Sequence, residues 1–228
     1  MARVPGLGPV KSRLHAAIGP EMATLLYRCF LLDRLDGLAA LPGIIPLVAF
    51  TPPHGRARLE ALAPPGVRLI AQEGDGLGER LSRLLGGLLA EGHRGAIAMD
   101  SDSPTLPMAH VAEAAAVLDQ AAADLVVGPT DDGGYYLVGL GRLEPSLFAD
   151  IPWSTDRVLA LTLERARAIG LRTHVLPAWY DVDTEADLAR LARDLRQLPD
   201  GPRRTSRCVE VLGGWGETPA GSVTSDPR

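Results

Sequence analysis

Residues 97–107 read Ile-Ala-Met-Asp-Ser-Asp-Ser-Pro-Thr-Leu-Pro. An apolar run ends in two carboxylates, Asp100 and Asp102, and a proline then turns the chain. Alternation along an extended backbone puts both carboxylates on the same side. Like charges this close repel, and one rises in pKa unless a cation or donors compensate. Mg²⁺ is a suitable compensator, since it takes one or two protein carboxylates and fills its octahedron with water and substrate phosphate. In a parallel α/β sheet, ligands bind at the carboxyl ends of strands, where this motif would lie. The same residues also fit a turn whose Asp side chains cap local amides.

Four further segments carry candidate chemistry. In Gly6-Leu-Gly8-Pro-Val-Lys11-Ser-Arg13-Leu14, glycines let backbone amides approach phosphate oxygens, and Lys11 and Arg13 add charge. It is not a Walker A loop, because Val10 precedes Lys11-Ser12 where that motif needs glycine. Taken alone, the segment reads better as a flexible basic N-terminus. In Gly74-Asp-Gly-Leu-Gly78-Glu79-Arg80, a glycine loop opening a helix can present amides to an anion or base, or be an ordinary helix entry. Gly128-Pro-Thr-Asp-Asp132-Gly133-Gly134-Tyr135-Tyr136 has the signals of a hairpin turn. Its two carboxylates and two tyrosines exceed what a turn needs, and bare glycines would let a sugar or acceptor lie against the backbone. Trp153-Ser154-Thr155 could be a core residue followed by helix caps. In Asp181-Val-Asp183-Thr-Glu-Ala-Asp187, capping accounts for Thr184 and Asp187 but not for Asp181 and Asp183. If this strand end lies beside Asp100 and Asp102, Asp183 completes a metal site.

The elements that must position these residues follow from periodicity. Pro20 opens a helix striped by Met22, Leu25, Leu26, Cys29 and Leu32. Leu77, Leu81, Leu84, Leu85, Leu88 and Leu89 make the clearest amphipathic helix. Further helices are predicted over 56–62, 107–120, 155–169 and 185–195. Strands are predicted over 44–50, 67–70, 96–100, 124–128, 135–140 and 171–176. This alternation means an α/β fold: a mostly parallel sheet with helices on both faces. The loop-like segment 3–13 should follow a first strand, and that strand is expected to be missing. Residues 1–197 are expected to form the domain. Residues 198–228, rich in Gly, Pro, Ser, Thr and Arg, are expected to be a flexible tail, with local pairing at 208–212.

Composition narrows the function. The chain has 228 residues, 46% of them hydrophobic, enough for a real core. A net charge of −5 and 4% aromatic content disfavour a nucleic-acid partner. Cys29 and Cys208 have no ligand-like spacing, and Cys29 is read as core. No apolar run approaches a membrane span and no signal peptide is recognisable, so a cytoplasmic protein is expected. Oligomeric state is open.

Taken in order, these motifs resemble a bacterial family of GT-A-like transferases of unassigned substrate, labelled glycosyltransferases or radical-SAM/selenodomain-associated transferases. The resemblance covers about residues 2–195. It rests on Pro5-Gly6 through Leu14, Leu77 to Arg80, Asp100 to Pro104, Asp132 to Tyr136, Trp153 to Thr155 and Asp181 to Thr184. More distantly, the chain is similar to 2-phospho-lactate guanylyltransferase, where the Lys11 to Leu14 pattern would sit in the phosphate loop. Sugar-acid cytidylyltransferases share patterns matching Asp102 and Asp183. The chain departs from the family at Gly76, where an Asp is common, and at the first strand.

The resemblance implies a nucleotide-diphospho-sugar transferase fold of three layers, with Mg²⁺ or Mn²⁺ held by Asp100, Asp102 and Asp183. Lys11 and Arg13 would stabilise phosphate charge, and Asp132 would be the acceptor's base. Gly6, Gly8, Gly78, Glu79, Arg80, Gly133, Gly134, Tyr135, Trp153, Ser154 and Thr155 would line the substrates. The expected partners are a nucleotide or nucleotide-sugar donor and a small acceptor. The expected reaction is glycosyl transfer. Nucleotidyl transfer with pyrophosphate release is the main rival, since the same residues would serve it. A phosphatase using Asp100 as nucleophile is disfavoured, because that motif normally follows a first strand. A non-catalytic nucleotide binder is the remaining alternative.

Overall fold

A computed structural model describes residues 1–213. The chain runs through β1 (Ala2–Arg3), α1 (His15–Ile18), α2 (Pro20–Ala39), β2 (Leu47–Thr51), α3 (Arg56–Glu60), β3 (Arg68–Ala71), α4 (Leu77–Ala90) and β4 (Ala96–Met99). It continues through α5 (Met108–Asp119), β5 (Leu125–Pro129), β6 (Tyr135–Leu140), α6 (Val158–Ala168), β7 (Thr173–Val175), α7 (Glu185–Gln197) and α8 (Arg203–Val211). β1, β2 and β3 pair in parallel, in that order. The second sheet has the order β4-β6-β5-β7, with β6 antiparallel to β4 and β5, and β7 parallel to β5.

Period-two alternation explains the three layers. Leu125 and Val127 of β5 and Val138 and Leu140 of β6 face a core built with Leu81, Leu85 and Leu88 of α4. Val126 and Leu137, one residue out of phase, face Val111, Ala114 and Leu118 of α5. Across the first sheet, Leu31 and Leu35 of α2 pack with Val48, Phe50 and Leu59.

Three expectations need correction. The first strand is present, though only as Ala2 and Arg3, which pair with Phe50 and Thr51. The Met1 amine donates to the Met99 carbonyl of β4, so this short segment touches the edges of both sheets. Behind it, a cavity of about 390 Å³ opens between Leu47 and Ala49 on one side and Ala96 and Ala98 on the other. Second, α6 begins at Val158, and Thr155 turns back to donate to the Pro152 carbonyl at 2.7 Å. Third, the expected tail contains α8, whose Thr205, Cys208 and Val209 are buried. Its first turn is capped from α2: Asp33 accepts from the Thr205 amide at 2.7 Å and from the Arg204 amide at 3.2 Å. A cap supplied by another helix leaves no local signal. Cys208 packs in one cluster with Cys29, which agrees with a core reading for Cys29. The rest of the expected tail, 214–228, lies outside the described residues.

Candidate active site

Four loops meet at the carboxyl ends of the strands: 4–13 after β1, 100–106 after β4, 130–134 after β5 and 176–184 after β7. One backbone bond fixes the central approach. The Val182 amide donates to the Asp102 carbonyl at 3.0 Å, setting Asp102 beside Asp183. A capping box then locks the second loop. Thr184 accepts from the Asp187 amide, and Asp187 Oδ2 accepts from the Thr184 amide at 2.8 Å and the Asp183 amide at 3.2 Å.

Lys11 enters this junction from the opposite side. Its backbone is left-handed, at φ 50° and ψ 42°, and its side chain is only 3% exposed. Nζ lies 2.9 Å from Asp102 Oδ1 and 2.8 Å from Asp183 Oδ1. With Asp183 the geometry is that of a hydrogen bond. With Asp102 it is an ion pair without hydrogen-bond alignment, since that oxygen has no hydrogen-bond partner. Burial disfavours the ammonium, but the two carboxylates outweigh it and its pKa is raised. Arg13, 74% exposed, stands 3.9 Å from Asp183 at the rim.

Asp100 sits deeper. Its Oδ2 accepts from Ser103 Oγ at 2.7 Å, while Oδ1 is buried with no hydrogen-bond partner. Burial, then the neighbouring Asp102, pushes its pKa up to about 6 against the pull of Ser103, Arg34 and Lys11. Asp100, Asp102 and Asp183 therefore do not converge as the expected set of three. Among the described residues, no three His, Cys, Asp or Glu side chains gather closely enough to hold a metal ion. Asp102 and Asp183 do share one cation, the Lys11 ammonium. Two oxygen donors of this kind suit a hard divalent ion that completes its shell with water and phosphate.

The other expected residues divide between the junction and the packing around it. Asp132 Oδ1 accepts from Thr130 Oγ1 at 2.6 Å and from the Gly134 amide at 3.0 Å, which shapes the turn after β5. Gly133 has φ 85°, and a Cβ there would stand 2.1 Å from the Asp156 carbonyl oxygen, so the 130–134 turn and the 154–156 segment interlock. Gly6 (φ 78°) and Gly8 (φ 106°) bend the loop carrying Lys11. Ser154 is held at φ 65° on the exposed face of its turn.

Gly78, Tyr135 and Trp153 are placed by packing. A Cβ on Gly78 would meet the Phe148 carbonyl oxygen at 2.5 Å and Trp153 Nε1 at 2.9 Å. Tyr135 and Trp153 meet edge to face, 6.3 Å between ring centroids, against the core below α4. Glu79 closes its own loop by accepting from the Asp75 amide at 3.0 Å, and Arg80 does so by donating to the Gly74 carbonyl at 2.9 Å.

Sequence reasoning missed two residues that build the site, Arg34 and Tyr27. Arg34, buried on α2, donates to the Leu106 carbonyl at 3.2 Å and to the Ser103 carbonyl, holding the loop under Asp100. Burial lowers its pKa to about 10. Its only signal is an arginine among Leu31, Leu35 and Leu38. Tyr27 takes the Arg3 amide at 2.9 Å and lies 2.9 Å from Ser101 Oγ, tying β1 to the Asp100 loop. Asp181, which capping had left unexplained in the sequence, is raised to about 6 by burial, Asp183 and Asp132, and extends the carboxylate row toward the Asp132 turn.

Comparisons with known proteins agree with this architecture. A crystal structure at 1.90 Å from Desulfovibrio desulfuricans G20, provisionally described as a nucleotide-diphospho-sugar transferase, is 32% identical. It superposes with a TM-score of 0.84 over 92% of this chain and 93% of that one. CMP:2-keto-3-deoxy-manno-octonic acid synthetase, in complex with CTP, matches with a TM-score of 0.50 at 16% identity, over 86% of this chain and 96% of that one, a likeness of fold. No curated protein matches the chain. Residues 34–155 match a family described as uncharacterized protein conserved in bacteria (DUF2064). The chain has the nucleotide-diphospho-sugar transferase fold, and it belongs to the DUF2064 family.

Proposed function

We propose that the protein is a metal-dependent transferase that binds a nucleotide-activated donor at the junction of Lys11, Asp102 and Asp183. The observation that carries this reading is the convergence of two part-exposed carboxylates and one buried ammonium at the carboxyl ends of β1 and β4 and beyond β7. Ligands of open α/β sheets bind there. The similarity to a protein described as a nucleotide-diphospho-sugar transferase supports the same class.

In this reading Asp102 and Asp183 hold Mg²⁺ or Mn²⁺, with Asp100 behind them as a buried negative charge. The ion, when bound, supplies charge neutralisation on the donor's phosphates. Lys11 and Arg13 bind phosphate oxygens and stabilise the charge that develops on the leaving group. In glycosyl transfer, the acceptor hydroxyl loses its proton to a carboxylate and attacks the anomeric carbon, and the bond to the nucleoside diphosphate breaks. Asp132 is the proposed base: its Oδ1 is held by the turn, leaving Oδ2 for the acceptor.

The second reading, nucleotidyl transfer, draws on the Lys11 loop. Glycine-bent backbone and two cations beside the carboxylates also suit a triphosphate. There an acceptor oxygen attacks the α-phosphorus and pyrophosphate leaves. Incubation with nucleotide sugars and with NTPs, plus Mn²⁺ and a panel of small acceptors, separates the two. Nucleoside diphosphate release supports the first reading and pyrophosphate release the second. Absence of both, with no nucleotide binding, rejects the donor site.

A further inference from the structure

Lys11 is the only lysine in a chain with 23 lysines and arginines. The others of these 23 are all arginine, so lysine at this one position invites a physical reason. Its ammonium stands between Asp102 and Asp183, 2.9 and 2.8 Å from their oxygens. A divalent cation coordinated by both carboxylates would need the same space and the same negative charge. The two cations exclude each other by volume and by repulsion.

From this geometry we propose that Lys11 is a built-in counter-ion that keeps free divalent metal out of the carboxylate pair, so that the site accepts its metal together with a polyphosphate. This rests on the donor-site reading above. Displacing Lys11 by metal alone strands a side chain that is 3% exposed beside a newly arrived dication. A phosphate arriving with the metal gives the ammonium a new anion within reach of its stem. Lysine suits this exchange because it is a compact charge on a flexible four-carbon stem, whereas the guanidinium is a rigid fork. Asp100 adds to the pair's need for a resident cation, because its buried Oδ1 has no hydrogen-bond partner and its charge acts on the neighbouring Asp102.

The test measures free Mn²⁺ by electron paramagnetic resonance, for the full chain without nucleotide. Lys11→Met and Lys11→Gln should bind free Mn²⁺ at least tenfold more tightly than wild type, and Lys11→Arg should not. Equal affinity in wild type and both neutral variants overturns the proposal while leaving the donor site intact, provided UDP, GDP, CDP or ADP still binds with Mn²⁺. If neither Mn²⁺ nor any of these nucleotides binds wild type or variant, both the donor reading and this inference fall. A wild-type measurement guards against variants that do not fold. Acylation of the single lysine, followed by mass spectrometry, should be slow in the free protein and should rise with Mn²⁺ occupancy as the metal expels Lys11. Mn²⁺ that binds while Lys11 stays protected overturns the proposal.

Discussion

Lys11 Nζ donates to Asp183 Oδ1 at 2.8 Å across 172 positions of sequence. This contact closes the site from both ends of the fold, since Lys11 follows β1 and Asp183 follows β7. It makes the site depend on loops brought together by strand order, and it places the strongest local cation where ligand charge would have to compete.

If the junction is a donor site, one nucleotide should stabilise the protein only when Mn²⁺ is present. At 100 times its dissociation constant a ligand adds about 2.7 kcal/mol, a rise in Tm of roughly 5–10 °C. Asp102→Asn should fold and lose that rise. Thermal melts against a nucleotide panel check it, and a full-sized shift in the variant would exclude Asp102 from the site.

Asp132→Asn separates base from scaffold. It should leave donor binding within about twofold, while acceptor turnover falls by roughly 10²–10⁴-fold. Steady-state kinetics with saturating donor is the measurement, and unchanged turnover would remove Asp132 from the role.

Arg34→Met should unfold the site from beneath. The change removes a buried cation that supports the Ser103 and Leu106 carbonyls and faces Asp100. Breaking such a buried network costs about 3–5 kcal/mol, a fall in Tm of at least roughly 6 °C. A melt within about 2 °C of wild type, taking about 1 kcal/mol as the threshold, would contradict the assigned support.

Two glycines of α4 should respond with opposite signs. Gly78→Ala drives a methyl into the Phe148 carbonyl and Trp153, an overpacking cost of about 1–3 kcal/mol. Gly87→Ala meets open space in the same helix and should stabilise by about 0.5–1 kcal/mol. Denaturant melts of the two variants give the comparison.

Acid should loosen β7 through one ion pair. Asp124 accepts from Arg172 Nη2 at 2.8 Å and from the Arg172 amide at 2.9 Å, and this hydrogen bonding depresses its pKa to about 2 from 3.8. A depressed carboxylate stabilises the fold above its unfolded pKa and loses that contribution as pH falls through its folded value. Asp124→Asn should therefore lower Tm by a few degrees at pH 7, roughly 2–4 °C, with the difference from wild type closing between about pH 4 and pH 2. A pH-independent difference would assign the effect to packing.

Much of this fold was legible because its cores obey simple periods. The leucines of α4 and the alternation in β5 and β6 assign faces without reference to anything distant. The Thr184–Asp187 box is equally local, since both bonds close within one turn. The sequence by itself offered Lys11, Asp102 and Asp183 only beside structural readings of the same segments, a turn and a basic N-terminus, and it was the ordered set of motifs, through the family resemblance, that joined them. Only the tertiary structure decided how they meet. It turned Asp100 inward onto Ser103, paired Lys11 with Asp102 and Asp183, and packed Tyr135 and Trp153 against the core. It also supplied partners that no local pattern encodes: Arg34 beneath the loop at 103–106, Tyr27 between β1 and Ser101, and Asp33 capping α8. Local periodicity fixes which face of an element is buried. Which side chains meet across more than a hundred residues depends on strand order and loop closure, and those are set by the packed whole.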